Sequence, residues 1–147
     1  MQGWIVLVVF AVGWFFAQLS KVIIGLTIGR KSLPTKDWRS TIGYLMRSGG
    51  MPSGHTASLT AAALYLGLSG GFDSALFAFA VCMWLIVVYD AINVRYAVGE
   101  QGKALNKLLK KANQAELPVV EGHTVPQVLV GALIGAAVAV ITFVLVG

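Results

Sequence analysis

The chain carries two histidines, and each stands at the start of an apolar segment among glycine, proline and small polar residues. His55 lies in segment 48–56, which contains three glycines, and His123 lies in segment 122–128. Glycine lets the backbone approach an anion closely, and the amides at a helix N-terminus form an anion site. We expect Pro52 at the first helical position, which places His55 in the first turn as a proton donor to phosphate. The alternative is a glycine-rich entry into a membrane helix.

A second polar cluster lies at the end of the apolar segment 73–94 and contains Asp90, Asn93 and Arg95. Ionisable residues inside a membrane span are costly to bury unpaired and are candidates for function. Asp90 and Asn93 share a helix face, whereas Arg95 would point roughly 140° away from Asp90 on an unbroken α-helix. We therefore expect the helix to end before Arg95, which then turns into the site to hold phosphate beside Asn93. The alternative is a structural pair of Asp90 with Arg95 or Lys21.

Lys21 lies near the end of the first apolar segment, with Gln18 one turn before it. Its side chain can extend to the membrane interface or contact a ligand, and both interpretations remain open. Both histidines also begin apolar segments, at the ends where the basic residues of the chain lie. An acid–nucleophile pair of His55 and His123 is therefore a further hypothesis.

The composition indicates that lipid surrounds most of this chain. It has 147 residues, of which 57% are hydrophobic and 12% charged, with a mean hydropathy of +0.79. Soluble domains carry roughly a quarter charged residues. The length predicts a single membrane domain over residues 1–147. The net charge of +5 favours anionic lipid or a phosphorylated ligand over nucleic acid, because little of the chain is expected to face water.

Four segments are apolar over the ~20 residues that a membrane-spanning helix needs. They are residues 3–28, 52–68, 73–94 and 126–146. The predicted fold is all-α, an integral membrane bundle of about four transmembrane helices. Small residues from Gly131 to Ala139 in the last segment suit tight packing, either inside the bundle or across a homodimer.

All 11 basic residues lie at or near two connections, the first before segment 52–68 and the second after segment 73–94. With four spans these connections share one side, which the positive-inside rule makes cytoplasmic. We therefore expect a cell-membrane protein with both termini outside. Leucines and lysines alternate over residues 100–111, which predicts a cytoplasmic amphipathic helix on the membrane surface in the long third connection. An ordinary solvated helix is the alternative.

Three motifs together resemble a known superfamily. They are SGGMPSGHTAS at residues 48–58, YDAINVRYAVGEQGKALN at residues 89–106 and GHTVPQVLVGALIG at residues 122–135. They occur in the same order as in the divergent branch of the type-2 phosphatidic acid phosphatases, which are related to the vanadium haloperoxidases. The resemblance extends from Lys21 to Gly135.

The resemblance implies a role for each matching residue. His123 would be the nucleophile that forms a phosphohistidine, and His55 the general acid that protonates the leaving group. Phosphate would be held by charged side chains and by backbone amides, and the residues so implied are Lys21, Arg30, Arg95, Ser53 and Gly54.

Two departures from the superfamily pattern affect these roles. The first motif lacks its Arg-Pro, so Arg39 or Arg47 could hold phosphate in place of Arg30. Gln127 stands where a carboxylate is expected four residues after His123. Gln127 can orient the imidazole but cannot neutralise its positive charge. Either Asp90 supplies that charge or the site binds phosphate without efficient turnover.

The sequence therefore predicts a membrane phosphatase that acts at the cytoplasmic face on a lipid-linked phosphate or diphosphate. Isoprenoid phosphates, phosphatidate and phosphatidylglycerophosphate are the candidate substrates. No metal or other cofactor is expected, because the chain lacks a carboxylate cluster suited to Mg²⁺. A homodimer is expected, since four spans form a small bundle whereas the superfamily phosphatases generally have six membrane helices. The alternative function is a lipid-phosphate binding or transport protein without catalysis. A haloperoxidase is a weaker third possibility.

Overall fold

The computed structural model describes residues 3–27, 50–119 and 122–146, and within these ranges it contains helices and no strand. The all-α prediction is therefore confirmed for this part of the chain. The elements are α1 (Gly3–Thr27), α2 (Gly54–Gly70), α3 (Ala75–Tyr89), a π-helical turn (Asp90–Val94), α4 (Arg95–Lys111) and α5 (Val125–Val146).

Helix α2 is the centre of the bundle and packs against α1, α3 and α5. It has 17 residues and is therefore about 26 Å long, somewhat less than the ~30 Å of a hydrocarbon core. Its surface is made of small residues such as Ala57 and Ala61, which are fully buried. A helix enclosed by its neighbours needs small side chains that admit close contact more than it needs large apolar ones.

Three helices of the described chain are long and apolar enough to cross a membrane: Gly3–Ile24, Ala75–Lys111 and Val125–Val146. The count of four spans is thus not confirmed, because the predicted span 52–68 corresponds to the shorter, enclosed helix α2. The other three predicted spans correspond to α1, to α3 with the π-turn, and to α5.

Contacts along the helices define their directions. In α1, Gly13 lies against Ala57 and Ala61 of α2, whereas Gln18 lies against Gly54 at the start of α2. Helices α1 and α2 are therefore antiparallel. A buried cluster joins the opposite end of the bundle, and its members are Ile5, Val9, Ala61, Tyr65, Val138 and Ala139.

Helices α2 and α5 run in the same direction and touch through their backbones. A Cβ atom added at Gly131 would lie 2.5 Å from the carbonyl oxygen of Ser53, and one at Gly135 would collide with the carbonyl oxygen of Ala57. The small-residue face from Gly131 to Ala139 is therefore covered by α2 of the same chain. Of the two predicted uses of this face, packing inside the bundle is confirmed, and a homodimer contact through it has no support from these contacts.

The outer surface of the bundle is apolar. Helix α3 contains no buried residue, and large apolar side chains on α1, α3 and α5 are exposed. Examples are Phe10, Phe15, Leu85, Ile86, Leu133 and Val144. An apolar surface this extensive, on helices of membrane-spanning length, is that of a membrane protein.

The helix does not end before Arg95, so that prediction is wrong. The chain continues from α3 through the π-turn into α4 without a break. The predicted amphipathic segment 100–111 is the second part of α4, where Leu105 and Leu108 are exposed. Its position at a membrane surface stays a prediction.

Replacing Gly135 by alanine is expected to destabilise the bundle by about 1–3 kcal/mol, because the added methyl group pushes α5 away from the α2 backbone. The thermal midpoint of the purified protein in mild detergent measures the effect. Gly3→Ala is the matched control, since nothing lies within 4 Å of a Cβ atom at Gly3. Equal thermal midpoints for the two variants would contradict the close approach of α5 to the α2 backbone.

Candidate active site

The first turn of α2 is capped by Ser53, whose side chain accepts a hydrogen bond from the Thr56 amide at 3.4 Å. The Thr56 hydroxyl also donates to the Ser53 hydroxyl oxygen at 2.9 Å, and both side chains are fully buried. Helix α2 begins at Gly54, so Pro52 precedes the cap and does not occupy the first helical position as predicted. His55 does lie in the first turn.

The backbone amide of Ser53 donates to the carbonyl oxygen of Gln127 at 3.1 Å. This amide is already hydrogen-bonded, so its predicted contact with phosphate has no support from these contacts and stays a prediction. The bond instead ties the start of α2 to the first turn of α5, and in this way it holds the two histidine-bearing helix ends together. Gly54, the first residue of α2, remains the predicted backbone contact for phosphate.

The π-turn brings Asp90 and Arg95 side by side. The Arg95 backbone amide donates to the Asp90 carbonyl oxygen, a hydrogen bond that spans five residues instead of four. This wider turn reduces the separation of roughly 140° expected on an α-helix by about 100°. Arg95 Nε lies 2.6 Å from Asp90 Oδ2, and about two fifths of each side chain is exposed. The structural Asp90–Arg95 pair that the sequence left open as an alternative is therefore present.

Asn93 is not drawn into this cluster. Its side chain is exposed, and its Nδ2 atom donates to the Tyr89 carbonyl oxygen of its own helix at 3.3 Å. A direct contact between Asn93 and phosphate stays a prediction without support from these contacts.

His123 is held by both its backbone and its ring. Its backbone amide donates to the Ala91 carbonyl oxygen at 3.0 Å, so it is attached to the π-turn. The Arg95 amide, which would donate to Ala91 on an unbroken α-helix, donates to Asp90 instead. The imidazole is buried, with 5% of the residue exposed, and its Nδ1 atom lies 3.3 Å from Gln127 Oε1.

The contacts of Gln127 determine the tautomer of His123. Gln127 Oε1 also accepts the Thr124 backbone amide at 3.0 Å, so the atom that faces the imidazole is the acceptor oxygen of the carboxamide. Nδ1 of His123 must then carry the hydrogen, and the Nε2 lone pair is free to act as a nucleophile. Gln127 thus contacts the imidazole through a neutral group, and its orienting role in a reaction stays a prediction.

Charges from four elements, α1, α2, the π-turn and α4, act on the histidines. Burial lowers the pKa of His123; the Gln127 hydrogen bond raises it, and the charges of Lys21, His55 and Arg95 lower it. His55 lies within the field of Arg95, Lys21 and Asp90. Asp90 acts on His55 and pairs with Arg95, and its predicted role as the carboxylate for His123 stays a prediction.

Lys21 and Gln18 are buried at this end of α1, with 9% and 7% of each residue exposed. Lys21 forms no ion pair within the described part of the chain, and its charge acts on both histidines. Gln18 was not among the predicted site residues. Its spacing of three residues from Lys21 in a mostly apolar segment is the signal that could have found it.

The remaining predictions fall outside these contacts. Arg30, Arg39 and Arg47 lie outside the described residues. Within the described ranges no group of three or more His, Cys, Asp or Glu side chains could hold a metal ion. Metal independence stays a prediction.

Four elements thus converge on a polar site at one end of an apolar helical bundle, which defines the chain as a membrane protein with a candidate phosphate site. It matches the Divergent PAP2 family over residues 4–138 and belongs to that family. It is also similar to the uncharacterized membrane protein YuiD of Bacillus subtilis (strain 168), at 34% identity over 82% of each chain. No solved structure matches it. The resemblance drawn from the motifs is confirmed, and the family suggests a phosphatase-related role.

Acidification is expected to destabilise the native protein more than a His123→Asn variant. An unfolded histidine binds a proton below a pH of about 6.5, whereas the lowered pKa of His123 keeps the folded imidazole neutral to a lower pH. Between these two pKa values the unfolded state binds more protons, so stability falls with falling pH. Thermal midpoints at about pH 7.5 and pH 5 measure the effect. An equal loss in both proteins would contradict a buried, neutral His123.

Proposed function

We propose that this protein is a membrane phosphatase that hydrolyses a lipid-linked phosphate or diphosphate through a phosphohistidine intermediate. The observation that carries the proposal is the environment of His123. A buried imidazole, oriented by Gln127 so that Nε2 keeps its lone pair, lies within the electrostatic influence of Lys21, Arg95 and His55. This arrangement suits attack on a bound phosphate.

In the first step, Nε2 of His123 attacks phosphorus and the bond from phosphorus to the lipid oxygen breaks. His55, in its protonated form, donates a proton to that oxygen, so the lipid leaves as an alcohol or, from a diphosphate, as a monophosphate. Lys21 and Arg95 stabilise the negative charge on the phosphate oxygens. The Gly54 amide at the start of α2 would add a hydrogen bond to the same group.

In the second step, water attacks the phosphohistidine and the phosphorus–nitrogen bond breaks. His55, now neutral, takes a proton from the water, and inorganic phosphate leaves. His55 is exposed, so water can reach it. Both histidines return to their starting protonation states, and the cycle requires no metal or other cofactor.

The basic residues favour the cytoplasmic leaflet as the place of reaction. Basic residues flank the site, and under the positive-inside rule they face the cytoplasm, with both termini outside the membrane. A substrate held by its lipid tail beside the apolar surface of the bundle would present its phosphate at that level. Isoprenoid phosphates, phosphatidate and phosphatidylglycerophosphate all have this form. A homodimer also remains a proposal, through a face other than Gly131–Ala139.

The second candidate is a lipid-phosphate binding or transport protein that keeps the pocket and has lost the reaction. Gln127 favours it, because a neutral carboxamide cannot stabilise the positive charge that His123 acquires during attack. Asp90, the carboxylate that the sequence offers for that role, is engaged by Arg95.

The purified protein in lipid or mild detergent is expected to release phosphate from at least one member of a panel of lipid phosphates and diphosphates. His123→Ala should lower release by roughly a thousandfold or more, because it removes the nucleophile. Gln114→Ala, at an exposed position in the loop after α4, is the control and should leave release unchanged. Vanadate, which mimics the phosphoryl-transfer transition state, should inhibit. No release from any substrate while phosphate-lipid binding persists would favour the second candidate.

Gln127→Glu is expected to increase phosphate release by at least about tenfold, since a carboxylate would stabilise the positively charged His123 intermediate. The same substitution in a His123→Ala background should give no gain. Turnover rates of the two proteins on one lipid phosphate make the comparison. A gain that persists without His123 would show that the carboxylate acts elsewhere.

A further inference from the structure

Gln18 is a buried polar side chain that the proposed mechanism does not use. Its Nε2 atom is 3.9 Å from the position of a Cβ atom added at Gly54, so the carboxamide lies against the first residue of α2. Its Oε1 atom is buried and has no hydrogen-bond partner in the described part of the chain. A buried acceptor without a donor costs about 1–3 kcal/mol, so such atoms usually have a partner in the functional state.

The surroundings of Gln18 otherwise attract an anion. Lys21 lies one turn further along α1 and is buried with no ion pair among the described residues, and the positive end of the α2 dipole lies beside Gly54. These groups donate hydrogen bonds or carry positive charge. An unpaired acceptor oxygen among them repels a fully deprotonated anion, but it can accept a hydrogen bond from an anion that still carries a proton.

We propose that Gln18 is a specificity-determining residue of this site, and that its Oε1 atom accepts a hydrogen bond from a protonated phosphate oxygen. Near neutral pH inorganic phosphate carries at least one P–OH group, and a terminal phosphate on a lipid carries one when singly ionised. Sulfate has the same shape and a similar charge but carries no proton. The site therefore selects phosphate over sulfate. This inference rests on the proposed phosphate site and is independent of turnover.

Binding of inorganic phosphate and of sulfate to the purified protein in mild detergent, measured by calorimetry at pH 7, tests this inference. The native protein should bind phosphate at least roughly tenfold more tightly than sulfate, the effect of one hydrogen bond to a charged ligand. Gln18→Met has a similar shape and no acceptor, and it should reduce this ratio to about one. Gln18→Glu keeps an acceptor, so it should retain the ratio while weakening both anions. Gln101→Met, at an exposed site on α4, should match the native protein.

Equal affinity of the native protein for the two anions would overturn the inference, as would a preference for sulfate, which is expected if the amide N–H groups faced the ligand. An unchanged ratio in Gln18→Met would also overturn it. Because Gln18→Met removes an unsatisfied buried group, its thermal midpoint without ligand should equal or exceed that of the native protein. A loss of selectivity then cannot be attributed to unfolding.

The same measurement separates this inference from the proposed function. Selective phosphate binding in a protein that releases no phosphate from lipids would support the role of Gln18 and contradict catalysis. Hydrolysis of lipid phosphates by a protein that binds phosphate and sulfate equally would support catalysis and contradict the role of Gln18. Repeating the titration in vesicles with and without phosphatidate identifies the source of the phosphate group. If phosphatidate competes with inorganic phosphate, the site binds a lipid headgroup. If phosphatidate does not compete, the site binds free phosphate. In both cases the ratio of phosphate affinity to sulfate affinity decides whether Gln18 Oε1 accepts a hydrogen bond from the P–OH group.

Discussion

The close contact between α2 and α5 is the constraint on which the rest of the structure depends. Gly131 and Gly135 let the backbone of α5 lie directly on that of α2, and the Ser53–Gln127 hydrogen bond fixes the same register at the helix ends. Two helix starts are thereby held side by side, which brings His55 and His123 into each other's electrostatic field. In lipid, where apolar side chains gain little by leaving their solvent, such packing and hydrogen bonding are the main sources of helix association.

The second determinant is the π-turn between α3 and α4. By shifting one backbone hydrogen bond, it aligns Asp90 with Arg95 and leaves the Ala91 carbonyl oxygen able to accept the amide of His123. The loop after α4 then follows that helix back toward the turn. The Asn106 side chain holds Leu117 through two hydrogen bonds of 2.8 Å: Asn106 Nδ2 donates to the Leu117 carbonyl oxygen, and the Leu117 amide donates to Asn106 Oδ1. The position of His123 thus depends on a local irregularity in a neighbouring helix.

Much of this organisation follows from the sequence, and the parts that do not have identifiable physical reasons. Apolar segment length was sufficient to predict the all-helical fold of the described ranges, and the three motifs were sufficient to predict the family. The π-turn was not predictable, because helical periodicity assumes one fixed angle per residue, and its single added residue reversed the expected relation of Asp90 to Arg95. The enclosed position of α2 was missed because hydropathy counts apolar residues without showing whether lipid or protein surrounds them. Gln18 was not predicted as a site residue, because only the structure shows that its Oε1 atom is buried without a hydrogen-bond partner among the described residues.

The π-turn also makes the chain unusually sensitive to length at one point. Residues 90–94 contain the equivalent of a one-residue insertion in a continuous helix, and everything after them is rotated by about 100° relative to an uninterrupted α-helix. Loss of one residue there would leave composition and hydropathy almost unchanged. It would nevertheless swing α4 to another side of the bundle, together with the loop that carries His123. The spacing from Asp90 to Arg95 is therefore a length constraint in its own right, separate from the identities of the two residues.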